Sequence, residues 1–292
     1  MSRRLLITGG SSYLGQHLVP RALEQAERQG WEELIYTYYT RDPLGLPQGE
    51  RLDVRDEAAV YALVRRFRPD AIIHTAGSNR GDDMAATIRR GAENITAAAA
   101  EQEARLVHIS TDVIFDGQHA PYREEDPPAP IHAYGHAKHD AEKIVGSYAN
   151  HVIVRTSLIY SLQLVDRGTE WVVNALQAGE PVTLFTDQMR NPIEAGALSR
   201  ALLELVELEF AGRLHVAGAQ RLSRADFALR MLDWWRVEPA ADPTFGPCDP
   251  NRWPLDCTLD TTRAQALLAT HLPGVDEVVL SAGAKAAQSF GI

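Results

Sequence analysis

The first 160 residues alternate short apolar runs with amphipathic stretches of helical length, and this alternation restricts the fold more than any other feature. Short apolar runs are typical of buried strands, whereas apolar residues repeated every three or four positions are typical of helices. Parallel strands need crossover connections, so the pattern predicts a parallel sheet with helices on both faces. The predicted strands are residues 5–7, 34–36, 71–74, 106–109 and 152–154, with a further short strand around Asp53, and the predicted helices are residues 16–29, 57–67, 84–102 and one that contains Tyr134.

A glycine-rich turn, residues 8–15, joins the first predicted strand to the first predicted helix. Glycines at such a turn let the backbone approach a pyrophosphate, which then binds at the helix N-terminus. An extended dinucleotide fingerprint would place a glycine at position 12, where this chain has Ser12, so that side chain must point away from the phosphates or bond to one. An ordinary strand-to-helix turn is the alternative. The residues expected to bind a dinucleotide here are Gly9, Ser12, Tyr13, Leu14 and Gly15.

The end of the second strand bears on the choice of cofactor. An acidic residue there would bond the ribose 2′-hydroxyl and select NAD, but the chain has Tyr-Tyr-Thr followed by Arg41. Arg41 can clamp a 2′-phosphate, with a solvated loop arginine as the alternative. We therefore predict NADPH as the cofactor, with NADH as the second candidate. The remaining residues expected to line the dinucleotide follow the later strands and are Asp53, Val54, Thr75, Ala76 and Gly77.

Tyr134 and Lys138 form the candidate catalytic pair, and Thr111 lies upstream in Ser-Thr-Asp. Positions i and i+4 share one face of a helix, so the ammonium is expected near the phenol. A free phenol has a pKa of about 10, and a nearby cation favours its ionised form. The pair alone is a weak signal, because many Tyr-x-x-x-Lys sequences are only helix surface. It gains weight from the glycine-rich turn that precedes it.

Charge and composition exclude several classes of partner. The formal net charge is −10, from 29 basic and 39 acidic residues, which argues against nucleic-acid binding. No apolar stretch approaches the ~20 residues of a membrane span. Cys248 and Cys257 lack Cys or His partners at zinc-site spacing, so we expect reduced thiols in a cytoplasmic protein. His136 and His139 have helical spacing but no carboxylate in register, and no metal site is expected.

Several blocks of the chain resemble the extended short-chain dehydrogenase/reductases and, more narrowly, the dTDP-4-dehydrorhamnose reductase family. The resemblance runs from about residue 5 to residue 268. Its most specific stretch is STDVIFDG, followed by PYREED, Pro130 and Tyr134-Gly135. Three further blocks agree, and they are residues 154–157 with Tyr160, residues 214–218 with Leu222-Ser223, and residues 252–256 running into Leu259-Asp260.

The resemblance implies a Rossmann-like domain, NADPH or NADH, and reduction of a nucleotide-linked 4-keto-6-deoxysugar. It implies that Thr111, Tyr134 and Lys138 carry catalysis, and that Asp112 touches the sugar. Tyr134 would donate the proton to the forming alkoxide, Thr111 would bond the same oxygen, and Lys138 would hold the ribose hydroxyls and lower the phenol pKa. The residues expected to bind the substrate are Thr111, Asp112, Leu158 and Arg252; for Arg252 a surface arginine beside Trp253 is the alternative.

The chain also departs from the family pattern. Leu158 replaces a tryptophan that often lies near the substrate, and Arg190 and Asn191 replace a smaller pair. Ala137 and His139 stand where the family commonly has serine and leucine. The changes at Leu158 and Arg190 bear on the identity of the sugar and leave the hydride chemistry untouched.

We therefore expect an α/β fold, a Rossmann-like doubly wound parallel sheet with a smaller C-terminal substrate-binding lobe. Residues 1–158 are expected to bind NAD(P) and residues 159–292 the substrate, with elements of 193–217 returning to the first domain. A homodimer is one expected assembly. The alternative functions are a non-enzymatic regulatory subunit, because the β subunit of methionine adenosyltransferase resembles this family too, and a reductase of another carbonyl compound.

Overall fold

The computed structural model describes residues 3–289, and its centre is a seven-stranded sheet. The strands are β1 (Arg3–Thr8), β2 (Trp31–Tyr38), β3 (Gly49–Arg51), β4 (Ala71–His74), β5 (Arg105–Thr111), β6 (His151–Thr156), β7 (Ile159–Tyr160), β8 (Thr183–Phe185), β9 (Met189–Arg190), β10 (Ile193–Glu194), β11 (Gly212–His215), β12 (Leu222–Ser223) and β13 (Thr244–Gly246). The helices are α1 (Tyr13–Gln29), α2 (Glu57–Phe67), α3 (Met84–Gln102), α4 (Ala133–Val145), α5 (Arg167–Gln177), α6 (Ala195–Glu207), α7 (Arg224–Trp234), α8 (Thr262–Leu267) and α9 (Val275–Ser289), with a 3-10 turn at Asp112–Ile114.

The strand order of the large sheet is β11-β6-β5-β4-β1-β2-β3, and every neighbouring pair is parallel. The chain moves outward from β1 in one direction through β2 and β3, then returns to build β4, β5 and β6 on the other side. The order therefore reverses between β1 and β4, and ligands of doubly wound sheets bind at such a switch point. The predicted doubly wound α/β fold is confirmed.

Most predicted elements match the observed ones. The helices at 57–67 and 84–102 have the predicted bounds. The first helix begins three residues earlier than predicted, because Ser12 caps it and lets the helical turn start at Tyr13. The predicted strand around Asp53 is wrong in position, since β3 ends at Arg51 and Asp53 lies in the following loop.

Helices cover both faces of the large sheet with apolar side chains. On one face α1 and α6 pack against the strands, and their buried residues include Leu18, Val19, Leu202 and Leu205. On the other face α2, α3 and α4 do the same with residues that include Val60, Ile88, Ile95 and Ala141. Strands covered on both faces are mainly apolar, which explains why their sequences lack alternation.

Residues after β6 build three small ladders beside the carboxyl edge of the large sheet. β7 pairs with β10 and β8 with β13 in parallel, whereas β9 and β12 are antiparallel. A separate apolar cluster joins α5, β8 and α7 through Val172, Leu176, Leu184 and Ala225. β11 pairs with β6 and α6 packs against α1, while the division of binding roles at residue 158 stays a prediction. Within residues 3–289, no helix combines the length and hydropathy that a membrane crossing requires.

Candidate functional site

A cavity of about 500 Å³ lies between the end of β5, the start of α4 and the small ladders. Its lining includes four of the residues singled out by sequence. The structure thus gathers Thr111, Asp112, Tyr134 and Leu158 around one space. Their roles there remain predictions.

Thr111 and Asp112 form one wall of this cavity and are both buried. The Thr111 hydroxyl donates to Asp112 Oδ1 at 3.2 Å, and the Ser157 hydroxyl donates to Asp112 Oδ2 at 2.6 Å. The Arg190 guanidinium faces the same carboxylate, with Nε 3.5 Å from Oδ2. Burial raises the pKa of Asp112, and the Arg190 charge and these bonds oppose that rise.

Tyr134 is the second residue of α4 and is half-buried beside Thr111. His132 caps the helix, since its Nδ1 accepts from the Gly135 N–H at 3.0 Å. Gly135 itself is required for packing, because a Cβ there would clash with the Val113 carbonyl oxygen. The start of α4 can therefore approach the end of β5 closely. Burial raises the pKa of the Tyr134 phenol, the Asp112 charge adds to the rise, and a contact with Thr111 opposes it.

Lys138 is buried one helical turn beyond Tyr134, and its Nζ donates to the Ile109 carbonyl at 2.9 Å. Burial lowers the pKa of Lys138 to about 8, while the Glu142 carboxylate opposes that fall. The ammonium therefore loses its proton before the phenol would. The Lys138 charge is not among the causes of the Tyr134 shift, and the expectation that Lys138 lowers the phenol pKa stays a prediction.

A buried ion pair behind Lys138 was not anticipated from the sequence. Arg155 Nη2 lies 2.8 Å from Glu142 Oε2, and both side chains are 1% exposed. The Ser110 hydroxyl donates to Glu142 Oε1 at 2.5 Å, which ties β5 to α4 beside the catalytic candidates. Arg155 lies in the Val-Arg-Thr-Ser block of the resemblance, and that block was the only sequence signal for it.

Two buried histidines lie near Lys138, one at the end of β4 and the other in the middle of β5. His74 and His108 are register partners with ring centroids 5.2 Å apart. The Thr8 hydroxyl lies 2.6 Å from His74 Nδ1, which links the pair to the glycine-rich turn. Burial lowers the pKa of His74 to about 3 and that of His108 well below its usual value, and the Lys138 charge adds to both shifts. Both rings are therefore neutral.

The glycine-rich turn has the close backbone packing that a dinucleotide cradle needs. Gly9 has φ of +76°, and a Cβ there would lie 2.6 Å from the Ala76 nitrogen. A Cβ at Gly15 would clash with the Gly9 carbonyl. The Ser12 hydroxyl accepts from the Gly15 N–H at 3.0 Å and so caps α1.

The candidate dinucleotide cradle consists of the glycine-rich turn, residues 8–15, and the segment after β4, residues 75–77. Its second segment reaches the catalytic candidates. Thr75 Oγ1 donates to the Thr8 carbonyl at 2.8 Å and holds this segment against the turn. Ala76 packs over Gly9, and a Cβ at Gly77 would lie 3.8 Å from Lys138 Nζ. A dinucleotide on the turn would therefore extend toward Lys138. The small residues of the turn and its position at a helix N-terminus fit such a cofactor.

Tyr13 and Leu14 frame the turn from the α1 side. The Tyr13 hydroxyl donates to the Leu164 carbonyl at 2.7 Å and so bridges α1 to the loop after β7. The Leu14 side chain is buried in the core, which leaves its backbone to face a ligand.

The other residues predicted to bind the dinucleotide, Arg41, Asp53 and Val54, each have different surroundings. Arg41 is exposed in the loop after β2, where a 2′-phosphate could reach it. Asp53 is bonded by Arg55, whose Nη2 lies 2.8 Å from Asp53 Oδ2. That hydrogen bond is the main reason the pKa of Asp53 is lowered. The Val54 side chain is buried against Gly91.

Arg252 is the site prediction that the structure places elsewhere. It is exposed and lies outside the cavity lining, with its guanidinium carbon 5.7 Å from the Trp253 ring centroid. Trp253 lines the cavity, and so do three other arginines, Arg80, Arg190 and Arg224. No sequence pattern singled out Arg224, which directly follows the Leu-Ser pair of the resemblance.

Comparison with known proteins shows which family the chain belongs to. Residues 3–284 match the family model of the RmlD substrate binding domain. The dTDP-4-keto-6-deoxy-D-glucose reductase of Streptomyces niveus is 30% identical over 257 residues, covering 82% of this chain and 83% of that protein. The methionine adenosyltransferase 2 subunit beta of Xenopus laevis is 29% identical over 280 residues, covering 88% and 81%.

Solved structures show the same architecture. A hypothetical dTDP-4-dehydrorhamnose reductase from Sulfolobus tokodaii superposes with a TM-score of 0.79 and 30% identity, covering 94% of this chain and 98% of that one. A dTDP-4-dehydrorhamnose reductase from Bacillus anthracis, solved in complex with NADP, gives a TM-score of 0.75 at 23% identity and 96% coverage of both chains, which shows the shared fold.

A doubly wound sheet with a glycine-rich turn at its switch point and a Thr, Tyr and Lys set beside it defines an extended short-chain dehydrogenase/reductase. More narrowly, the chain belongs to the RmlD substrate-binding-domain family, that of the dTDP-4-dehydrorhamnose reductases. It is an oxidoreductase of the NAD(P)-dependent kind, as the sequence predicted.

Proposed function

We propose that this protein uses NADPH, or NADH in its place, to reduce the keto group of a nucleotide-linked 4-keto-6-deoxysugar. The observation that carries the proposal is the convergence of Thr111, Asp112 and Tyr134 on one cavity wall. The cradle that ends at Gly77 reaches Lys138 directly behind that wall. The Streptomyces niveus relative, named for a substrate of this class, supports the choice of sugar.

The surroundings of Tyr134 suit a proton donor. Its raised pKa keeps the phenol protonated at neutral pH, so a proton is available when charge develops on a substrate oxygen. When bound, the nicotinamide supplies the hydride. The phenolic O–H bond breaks as the substrate gains its proton, and the Thr111 hydroxyl can donate to the same oxygen.

Lys138 has a positioning role in this scheme. Its Nζ has three N–H donors, of which one is engaged by the Ile109 carbonyl. The remaining donors can hold hydroxyl groups at the end of the cradle. At neutral pH the group is still largely protonated, because its pKa of about 8 lies above the operating range.

The test is hydride transfer to a dTDP-linked 4-keto-6-deoxysugar, followed by NADPH absorbance in single-turnover experiments. We expect Tyr134→Phe to bind NADPH with unchanged affinity and to lose ~10²–10⁴-fold in rate, the usual worth of general acid catalysis. Tyr61→Phe, on α2, removes a hydroxyl outside the cavity and serves as the matched control. Undiminished transfer in Tyr134→Phe would remove this residue from the mechanism.

The regulatory alternative rests on one observation, the 29% identity with the methionine adenosyltransferase 2 subunit beta of Xenopus laevis over most of both chains. It predicts that NADPH binds, that no keto sugar is reduced, and that the protein changes the kinetics of an adenosyltransferase catalytic subunit. Turnover of a nucleotide-linked keto sugar by the wild type, lost in Tyr134→Phe, would decide for the reductase.

A further inference from the structure

We propose that His132 is a substrate-binding residue that selects for a hydroxyl group on the carbon next to the reacting carbonyl. Its Nε2–H donates to that hydroxyl oxygen, while the Tyr134 phenol serves the carbonyl oxygen. The inference rests on the proposed function for the identity of the sugar. It adds a determinant of specificity that the catalytic candidates do not supply.

One ring nitrogen of His132 is fixed by the backbone. His132 directly precedes α4, and its Nδ1 accepts from the Gly135 N–H at 3.0 Å. A nitrogen that accepts from an N–H carries no proton of its own, so the neutral ring has its proton on Nε2. Burial lowers the pKa of His132, and Arg190 and His136 add to that fall, while its own backbone and the Asp112 charge oppose it. The ring is therefore neutral at neutral pH, and Nε2 is a hydrogen-bond donor.

The Nε2 donor of His132 is available to a ligand. Within residues 3–289 the only side-chain hydrogen bond of His132 is the one at Nδ1. Nε2 is nevertheless not one of the buried side-chain atoms that lack a partner in this part of the chain, so it is in contact with solvent. Because the half-buried His132 side chain lines the cavity, Nε2 reaches the space in which a substrate would lie.

Two aromatic neighbours hold the His132 ring in this position. Its centroid lies 6.3 Å from that of the Tyr134 ring, with the planes tilted by 35°. It lies 5.8 Å from the Trp253 ring in an edge-on contact, with an interplanar angle of 73°. All three residues line the cavity. Since a hydrogen bond separates its heavy atoms by only about 2.9 Å, donors on two rings this close serve neighbouring oxygens of one small ligand.

Capping alone does not account for a histidine at position 132. Asn, Asp, Ser and Thr are the residues preferred at the start of a helix, and each of them would accept the bond from Gly135 with a smaller side chain. Histidine differs from these residues in having a second nitrogen, which extends beyond the cap. That nitrogen is what His132 adds to the cavity.

A donor in this position acts on specificity. Water can satisfy Nε2 in the free protein, and a bound sugar displaces that water. A sugar with an oxygen at this point restores the hydrogen bond, whereas a sugar with only hydrogen there leaves the donor unpaired, which is unfavourable. In a 4-keto-6-deoxysugar the carbonyl carbon has two neighbours, and of these only C3 carries a hydroxyl group. The 3-hydroxyl is therefore the group that we assign to His132.

The experiment is calorimetry on the protein saturated with oxidised NADP, which can bind a keto sugar without reducing it. The two probes are dTDP-4-keto-6-deoxyglucose and its 3-deoxy counterpart. Wild type is compared with His132→Ser, whose hydroxyl keeps an acceptor for the cap but lacks the ring nitrogen. His136→Ser is the matched control, because it makes the same change at an exposed position of α4 outside the cavity lining.

We expect wild type and His136→Ser to bind the 3-hydroxy sugar ~3–10-fold more tightly than the 3-deoxy sugar, the size expected of a neutral hydrogen bond. In His132→Ser we expect this ratio to fall to about 1, through weaker binding of the 3-hydroxy sugar. An equal ratio in wild type and His132→Ser would overturn the inference, and so would equal binding of both sugars by wild type. If His132→Ser melts below wild type, His132→Asn takes its place with the same expected loss, since Asn is among the strongest caps.

These results are separable from the proposed function, which is tested by oxidation of NADPH. A binding ratio that depends on His132, together with no reduction of either sugar, would reject the reductase and keep the contact. Reduction of both sugars with a kcat/KM ratio that is unchanged in His132→Ser would keep the reductase and reject the contact. A lower kcat in His132→Ser with both affinities unchanged would also reject the contact, and would leave His132 only the capping of α4 beside Tyr134.

Discussion

At the scale of single residues, burial acts in opposite directions on the two members of the catalytic pair. It raises the pKa of the Tyr134 phenol and lowers the pKa of the Lys138 ammonium to about 8, because in each case it disfavours the charged form. Tyr134 therefore stays a proton donor while Lys138 stays close to its own titration range. That Lys138 holds the end of the cradle stays part of the proposed function, and burial and Asp112 raise the pKa of the phenol against the contact with Thr111.

Arg41 carries the prediction about cofactor choice. Its side chain is exposed beside the cradle, so its removal leaves the core intact. We expect Arg41→Ala to weaken NADPH binding by ~10-fold or more and to leave NADH binding unchanged, since only the former has a 2′-phosphate for a guanidinium to bond. Fluorescence titration with both cofactors measures this. Arg21→Ala, on the exposed face of α1, is the control, and equal losses for both cofactors in Arg41→Ala would reject the assignment.

At the scale of elements, the first turn of α1 combines two requirements. The turn must bring the backbone of Gly9 against Ala76, and it must start a helix whose first N–H groups lack intrahelical partners. Ser12 meets the second requirement through its bond from Gly15. The departure from a glycine at this position is therefore compatible with a dinucleotide cradle.

Ser12 gives a test of this interpretation. We expect Ser12→Ala to lower the free energy of unfolding by about 1 kcal/mol, because a cap hydrogen bond is lost, and Ser12→Gly to lower it by only a few tenths. Urea denaturation of the ligand-free protein measures both. Ser11→Ala, one position earlier in the turn, is the control. If Ser12→Gly proves as destabilising as Ser12→Ala, the side chain matters for a reason other than capping.

At the scale of the whole molecule, three histidines are buried in neutral form. They are His74, His108 and His215, each at most 1% exposed; His74 and His215 end their strands, and His108 lies in the middle of β5. Burial lowers the pKa of His74 to about 3 and of His215 to about 4, and that of His108 falls well below its usual value. Near pH 6.5 these three histidines therefore bind protons in the unfolded chain but stay neutral in the folded chain.

Stability should therefore fall as the pH decreases below about 6.5, since protonation there favours the unfolded state. Each buried histidine contributes a slope of up to ~1.4 kcal/mol per pH unit, down to its folded pKa. Urea midpoints between pH 7.5 and about 5 measure the slope. We expect His74→Asn to reduce the slope, because His108 and His215 remain, and His271→Gln, at an exposed site, to leave it unchanged. A wild-type midpoint independent of pH in this range would contradict the neutral burial of these rings.

The expected homodimer and the cytoplasmic location stay predictions at this scale. The nucleotide-sugar partner is part of the proposed function. A light-scattering mass of the full chain tests the assembly directly, with a single-chain mass of 32.2 kDa as the reference.

The sequence by itself determined the parallel sheet and its helices, while the grouping of Thr111 with Tyr134 came from the family resemblance. The sheet and the helices depend on periodicity, turn glycines and spacing, and such signals are local because backbone hydrogen bonds and side-chain directions repeat along the chain. The helix at 84–102 and the strand at 71–74 were therefore predicted with their observed bounds.

Only the tertiary structure decided which charged groups share the cavity. Arg190, Arg224 and Asp112 all line the cavity, whereas Arg252 lies outside its lining. The sequence around these three arginines does not distinguish them. The pairing of Asp53 with Arg55 and the effect of burial on Lys138 were decided in the same way. The physical reason is that charge balance and desolvation depend on which distant segments pack together, and no local period records that packing.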